Sequence, residues 1–127
     1  MNAVLLVGAG GALGAMARYG VSVGLARLLS SSFPIATLAV NIAGSLLMGV
    51  LVGLLARFLP GWQDEARLFI AVGMLGGFTT FSSFSLDTIV LIERGALVQA
   101  MLYVVLSVVV CLAGLYLGLL FTRGGAA

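Results

Sequence analysis

Apolar residues fill this chain in four long runs, and polar residues gather in three short gaps and one interior stretch. The runs extend from about Ala3 to Leu29, Pro34 to Phe58, Ala66 to Ile92 and Ala96 to Thr122. A helix rises about 1.5 Å per residue, so about 20 residues cross the hydrocarbon of a bilayer. Each run meets that length, and the pattern predicts four transmembrane helices. The gaps are Ser30-Ser31-Ser32, Pro60 to Glu65 and Glu93-Arg94-Gly95. Pro34 suits the first turn of helix two, where a missing N–H costs nothing. Trp62 suits an interfacial anchor in the middle gap.

Composition turns this pattern into a solvent assignment. Of 127 residues, 62% are hydrophobic and 8% are charged, against roughly a quarter charged in soluble domains. The chain lacks the polar groups to cover a water-facing surface, so the bilayer is its solvent and residues 1–127 read as one transmembrane domain. There is no His, no Lys and one Cys. A His-based metal site, a His-based acid–base mechanism and an internal disulfide lose their usual parts. No nucleophile–base pair or metal cluster stands out, which argues against an enzyme. Gly8-Ala9-Gly10-Gly11-Ala12-Leu13-Gly14 is glycine-rich, but it lies inside a span rather than after a strand, so a nucleotide loop fails on context. A cleaved signal is disfavoured, because no positive region precedes the first apolar run.

Six arginines against four carboxylates give a formal charge of +2. The arginines form no run, so a nucleic-acid footprint is absent. Four spans put both termini on one side, together with Arg57, Arg67 and Arg123. Arg27 and Arg94 fall on the other side, and Arg18 lies nearer the middle of the first span. Orientation follows the Lys/Arg asymmetry, and here there is almost none. The expectation is insertion both ways up and antiparallel pairing; the alternative is a single orientation set by other features.

Small-residue pairs recur at Gly10/Gly14, Gly20/Gly24, Gly49/Gly53 and Gly114/Gly118. Such pairs let helix backbones approach closely in lipid. They predict tight packing with little room for a large substrate.

The interior polar stretch is Gly76-Gly77-Phe78-Thr79-Thr80-Phe81-Ser82-Ser83-Phe84-Ser85, near the middle of the third run. Paired glycines and five hydroxyl residues in ten positions disfavour a regular helix. Irregular backbone at membrane depth is tolerated where it is buried in protein or lines water. The expectation is a broken helix whose freed carbonyls can hold a cation. The alternative is a continuous helix with hydroxyls bonded back to the preceding turn.

Phe81 and Phe84 share a helical face, and the positive edges of their rings can flank a small anion or pack against neighbours. Asn41, Ser45 and Gly49 form one stripe on helix two. The Asn41 amide offers two donors, to an anion or to another helix. Tyr103, Ser107, Cys111, Gly114 and Gly118 align on helix four, as a hydroxyl-lined path or a packing seam. Arg18 and Asp87 are ionisable residues within or near the ends of spans and are functional candidates on that ground. Arg18 can steer anions in a vestibule or serve structurally.

Together these residues resemble the Fluc/CrcB family of fluoride channels over nearly the whole chain. Gly11-Ala-Leu-Gly-Ala-Met-Ala-Arg18 is similar to the family's glycine-rich first helix. Thr37-Leu-Ala-Val-Asn41 is similar to its helix-two motif, and Gly76 to Ser85 to its signature GG-x-[ST]-T-F-S-T-F-S. The resemblance implies an all-α, antiparallel, dual-topology homodimer with two fluoride pores, in a prokaryotic inner membrane. It implies that Phe81 and Phe84 meet fluoride with ring edges and that Asn41 and Ser83 lie along its path. Tyr103 and Ser107 would sit on the helix-four side. A structural Na⁺ on the dimer axis would be held by main-chain carbonyls of Gly76 and Thr79 from both chains. The sequence departs from the family at Ser83, where Thr is common, and at Asp87, where Glu is usual. Cys111 and Leu115 remove two hydroxyls from the expected helix-four track. A proton-coupled drug exporter of similar size is the alternative, but its mechanism needs a carboxylate inside helix one, and none is present. A structural membrane protein without transport would leave the buried Asn and hydroxyls unexplained.

Overall fold

The computed structural model describes residues 2–29, 33–58 and 60–123, and every regular element among them is helical. Four stretches are long and apolar enough to cross a membrane: Ala3–Leu28, Ile35–Phe58, Gln63–Glu93 and Leu97–Thr122. The first two are the continuous helices α1 (Ala3–Leu28) and α2 (Ile35–Phe58), and the last is α6 (Leu97–Thr122). The third span is composite. It comprises α3 (Gln63–Ala66), a π-helical segment Arg67–Leu75, a short α4 (Gly76–Phe78) and, after a break, α5 (Phe81–Glu93). The Ser30–Ser32 gap lies outside the described residues.

The helix ends follow local chemistry. Asn2 caps α1 by accepting the Val4 N–H at 2.7 Å, the expected role of an Asn at an N-cap. Pro34 sits just ahead of α2 rather than in its first turn, and its carbonyl accepts the Leu38 N–H at 3.2 Å. The third span begins earlier than its hydropathy indicates. The Gln63 N–H reaches the Pro60 carbonyl at 3.1 Å and the Ala66 N–H reaches Trp62 at 3.0 Å, while Asp64 and Glu65 occupy the positive first turn of α3. Polar helix outside the hydrocarbon leaves no mark on an apolar-run count. Between α5 and α6 the chain reverses through Gly95 at φ 81°. Its N–H bonds Ile92 and the Ala96 N–H bonds Leu91, at 3.0 and 2.9 Å. This paired closure with a left-handed glycine is a Schellman motif.

The spans pack in two parallel pairs, as alternate spans of one chain must run. Along the α2–α6 seam, a methyl group at Gly49 would collide with the Leu115 carbonyl and one at Gly53 with the Thr122 hydroxyl, and one at Gly118 would lie 2.6 Å from the Leu46 carbonyl. Along the α1 seam with the first half of span three, Gly10 faces the Phe69 carbonyl, Gly14 faces the Met74 carbonyl, and Gly73 backs onto the Gly10 Cα. Glycine at these points lets main chain touch main chain, which is how helices gain attraction in a solvent as apolar as their side chains. Gly20 and Gly24 behave differently, since among the described residues nothing lies within 4 Å of a methyl group at either position. The break turns α5 toward α6 and α2, and the second half of α1 loses the neighbour that its first half has.

The buried set is small: Val40, Leu55, Ala66, Leu75, Leu91, Ala100 and Tyr103, with Ser107 the one buried polar residue among those described. Large apolar side chains cover the outside, with Leu28 and Phe121 each 80% exposed. The structure is a multi-pass membrane fold whose apolar surface faces lipid.

Candidate functional site

The site grows from the interruption in span three. Thr79 and Thr80 are both extended, at φ −86°, ψ 157° and φ −151°, ψ 117°. The helix therefore stops and restarts within two residues, inside the stretch whose glycines and hydroxyls predict a break. Three side chains take over the hydrogen bonds that it interrupts. The Asn41 amide pairs with both backbone groups of Thr80. Its Oδ1 accepts the Thr80 N–H at 2.8 Å and its Nδ2 donates to the Thr80 carbonyl at 3.2 Å. Arg18 donates from Nε to the Gly77 carbonyl at 3.0 Å, so a cation meets the negative end of the first half-helix. Thr80 Oγ1 accepts the Ser83 N–H at 3.1 Å and caps α5.

This arrangement also removes a regular helical donor from one carbonyl. In a continuous helix the Gly76 carbonyl would accept from Thr80, four residues on. The Thr80 N–H is turned to Asn41 instead, and Gly76 loses that donor. Thr79 lies in the gap, beyond the last turn of α4, and its own hydroxyl bonds back to the Leu75 carbonyl at 3.0 Å.

Beside the break runs a groove of about 420 Å³ between α2, α6 and both halves of span three. Asn41 and Ser45 line it from α2, Thr79 and Thr80 from the break, Phe81 and Phe84 from α5, and Ser107 and Cys111 from α6. Among the described residues, nothing hydrogen-bonds the buried Ser107 hydroxyl. A buried donor left in this state costs about 1–3 kcal/mol. Nδ2 of Asn41 carries a second N–H beyond the one given to Thr80. The groove thus holds a few convergent donors in an otherwise apolar lining.

The two rings that line the groove, Phe81 and Phe84, begin a ladder of four. Phe81 and Phe84 lie 5.4 Å apart at 49°, Phe84 and Tyr103 5.1 Å apart at 44°, and Tyr103 and Phe33 5.5 Å apart at 85°. None is a face-to-face stack, so ring edges as well as faces are presented. Phe81 is the outer rung, 77% exposed at the open side of the groove. Tyr103 is the inner rung, fully buried, and its hydroxyl donates to Asp87 at 3.0 Å.

The sequence-selected residues thus separate by place. Asn41, Phe81, Phe84 and Ser107 meet in one groove, joined by Thr79. Tyr103 stands behind Phe84 and does not line the groove. Ser83 does not line it either; its backbone N–H serves the α5 cap. Gly76 and Arg18 lie at the end of the first half-helix. The helix-four stripe divides in two: Ser107 and Cys111 face the groove, while Gly118 packs against α2. Thr80 was missed. It is one of five hydroxyl residues in ten, and only the position of the break marks it as the cap.

A four-span membrane protein with a groove of hydroxyl, amide and phenyl groups beside a broken helix is, by class, a candidate path for a small ion. The chain belongs to the CrcB family: a family model described as "CrcB-like protein, Camphor Resistance (CrcB)" matches residues 5–119. It is 50% identical to a protein of Rhodospirillum centenum over 129 aligned positions, covering 100% of both chains. It is 52% identical to one of Erythrobacter litoralis, covering 97% of this chain and 93% of the relative. A third, from Agrobacterium fabrum, is 52% identical, with 94% of this chain and 95% of the relative covered. Each of the three is named "Fluoride-specific ion channel FluC".

Proposed function

We propose that this chain is a passive, fluoride-selective channel of a prokaryotic inner membrane, and not an enzyme. Identity near one half with proteins named as fluoride-specific channels, over essentially the full chain, carries the reading. The groove supports it physically. Fluoride is small and strongly hydrated, so a path must replace water with hydrogen-bond donors and positive dipole ends. The Ser107 hydroxyl, the second Asn41 N–H and the edges of Phe81 and Phe84 are groups of that kind. Small donors at close quarters favour fluoride over the larger chloride. The drug-exporter alternative draws no support from these relatives, and helix one carries no carboxylate.

The functional unit in this reading is an antiparallel, dual-topology homodimer with two pores. The near balance of arginines supports insertion both ways up. The open side of the groove at Phe81 supports a second copy that completes the wall. Ser83 and Tyr103 act around the ring ladder in this reading, Ser83 from the α5 cap and Tyr103 as the support of Phe84. Arg18 acts structurally by holding the Gly77 carbonyl. A structural Na⁺ would be held by carbonyls of Gly76 and Thr79 from both chains. The loss of the Thr80 donor to the Gly76 carbonyl fits a hard, oxygen-seeking cation there. Such an ion would supply positive charge on the axis and tie the two breaks together.

Proteoliposomes loaded with potassium fluoride or potassium chloride test the function. The expected result is fluoride release faster than chloride release by orders of magnitude. Equal release of the two halides overturns the reading. Labelling of a C-terminal tag from both sides of the membrane is expected for dual topology, and labelling from one side alone overturns that part.

A further inference from the structure

Besides Ser107 Oγ, one other buried side-chain atom has no hydrogen-bond partner among the described residues: Nε of Arg123. It lies outside the groove, at the end of α6. The parallel seam sets Thr122 against Gly53. Arg57 follows Gly53 by four residues, about one helical turn, and Arg123 follows Thr122 directly. Both guanidinium groups therefore belong to the same end of the α2–α6 pair.

Among the described residues, neither arginine has an acidic partner. Arg57 rests over the Phe58 ring, 5.2 Å from its centroid, a contact that supplies no lone pair. Asp64 and Glu65 stand on the same side of the membrane, exposed, and form no ion pair with either arginine. Trp62, 63% exposed at that end, marks the depth of the lipid headgroups. Among the described residues, the charge left unpaired on these two helix ends is positive, and one of its donors is already out of water. A guanidinium fork matches an oxyanion with several acceptor atoms, and phosphate is the anion that lipids present at this depth.

We propose that Arg57 and Arg123 form a binding site for a phosphate-ester oxyanion of the kind carried by an acidic phospholipid headgroup. Arg123 supplies the buried Nε and Arg57 a second fork from the neighbouring helix. If both orientations occur in the membrane, each leaflet meets the site once per dimer.

The test uses the full-length protein in neutral detergent, with binding read by native mass spectrometry. Phosphatidylglycerol, inorganic phosphate and diacylglycerol are titrated separately. Wild-type protein is expected to retain phosphatidylglycerol and not diacylglycerol. Arg123→Gln is expected to weaken retention about tenfold, the loss of one charge-assisted hydrogen bond. Arg57→Gln combined with Arg123→Gln removes it. Arg123→Lys, which keeps the charge and fold but lacks Nε, falls between. Arg27→Gln and Arg94→Gln, at the opposite end, leave it unchanged. Saturation by inorganic phosphate alone at equal affinity keeps the oxyanion site and reassigns its occupant to a soluble anion. Unaltered retention in the double variant, or equal losses in the opposite-end variants, overturns the proposal.

Discussion

Replacing Asn41 by Ala removes a side chain that satisfies two backbone groups at once. The Thr80 N–H at 2.8 Å and the Thr80 carbonyl at 3.2 Å both lose their partner. Each buried group left unsatisfied costs about 1–3 kcal/mol, an upper range of about 6 kcal/mol for the pair. Two effects reduce it. Interhelical hydrogen bonds in membranes average about 0.6 and reach about 1.7 kcal/mol, because the chain unfolded in lipid finds other partners. The break also borders a groove that can admit water to the freed groups. The expected loss is therefore about 1.5–3 kcal/mol, read as reversible unfolding in mixed micelles of mild detergent and dodecyl sulfate, followed by circular dichroism. Asn41→Asp sharpens the test, since it keeps an acceptor for the Thr80 N–H but places a carboxylate against the Thr80 carbonyl. It should be at least as destabilising as Asn41→Ala. If Asn41→Ala unfolds within about 0.5 kcal/mol of wild type, the amide does not hold the break, and its two contacts are not part of the fold.

Three further outcomes follow from particular contacts. Ser107→Ala removes a buried hydroxyl without a partner among the described residues, so stability should hold or rise by up to about 1 kcal/mol while fluoride flux falls; a loss of stability would show that the hydroxyl is satisfied in the fold. Gly14→Val should abolish recovery of folded protein on size-exclusion chromatography, because its Cβ would collide with the Met74 carbonyl, whereas Gly20→Val, with nothing near it among the described residues, should leave helix content unchanged. Gly95→Ala should cost about 1–2 kcal/mol of unfolding free energy through its left-handed backbone, and no measurable cost would place the reversal elsewhere.

The spans were legible because hydropathy alone decides what sits in lipid. The break was legible because Gly, Ser and Thr concentrate where a lipid-spanning helix would otherwise be uniformly apolar. Other features leave no such trace. The π-helical segment Arg67–Leu75 reads after Arg67 as a plain apolar run, and the glycines of α1 that it packs against lie some 60 positions earlier. The outward face of Gly20 and Gly24 is invisible for the same reason: the motif reads identically whether or not a neighbour arrives. Asn41 was readable as a buried amide in need of partners, but not which partners. The groove could be assembled only in part, since helix phase brings Ser107 and Cys111 together yet cannot say that Tyr103, one turn away, is buried behind Phe84.

The interruption in span three is held by residues from two other helices, and that gives it a history as well as a shape. Arg18 and Asn41 both precede the break in the chain. Synthesis proceeds from the N-terminus, so both are made before Thr79 and Thr80 enter the membrane. Span three thus arrives where its exposed N–H and carbonyl groups can be met at once, and it need not linger in lipid with polar backbone uncovered. The same change at Arg18 or Asn41 that loosens the finished protein would also remove the receiver for a segment in transit, and the harm would begin during insertion, before any ion could cross.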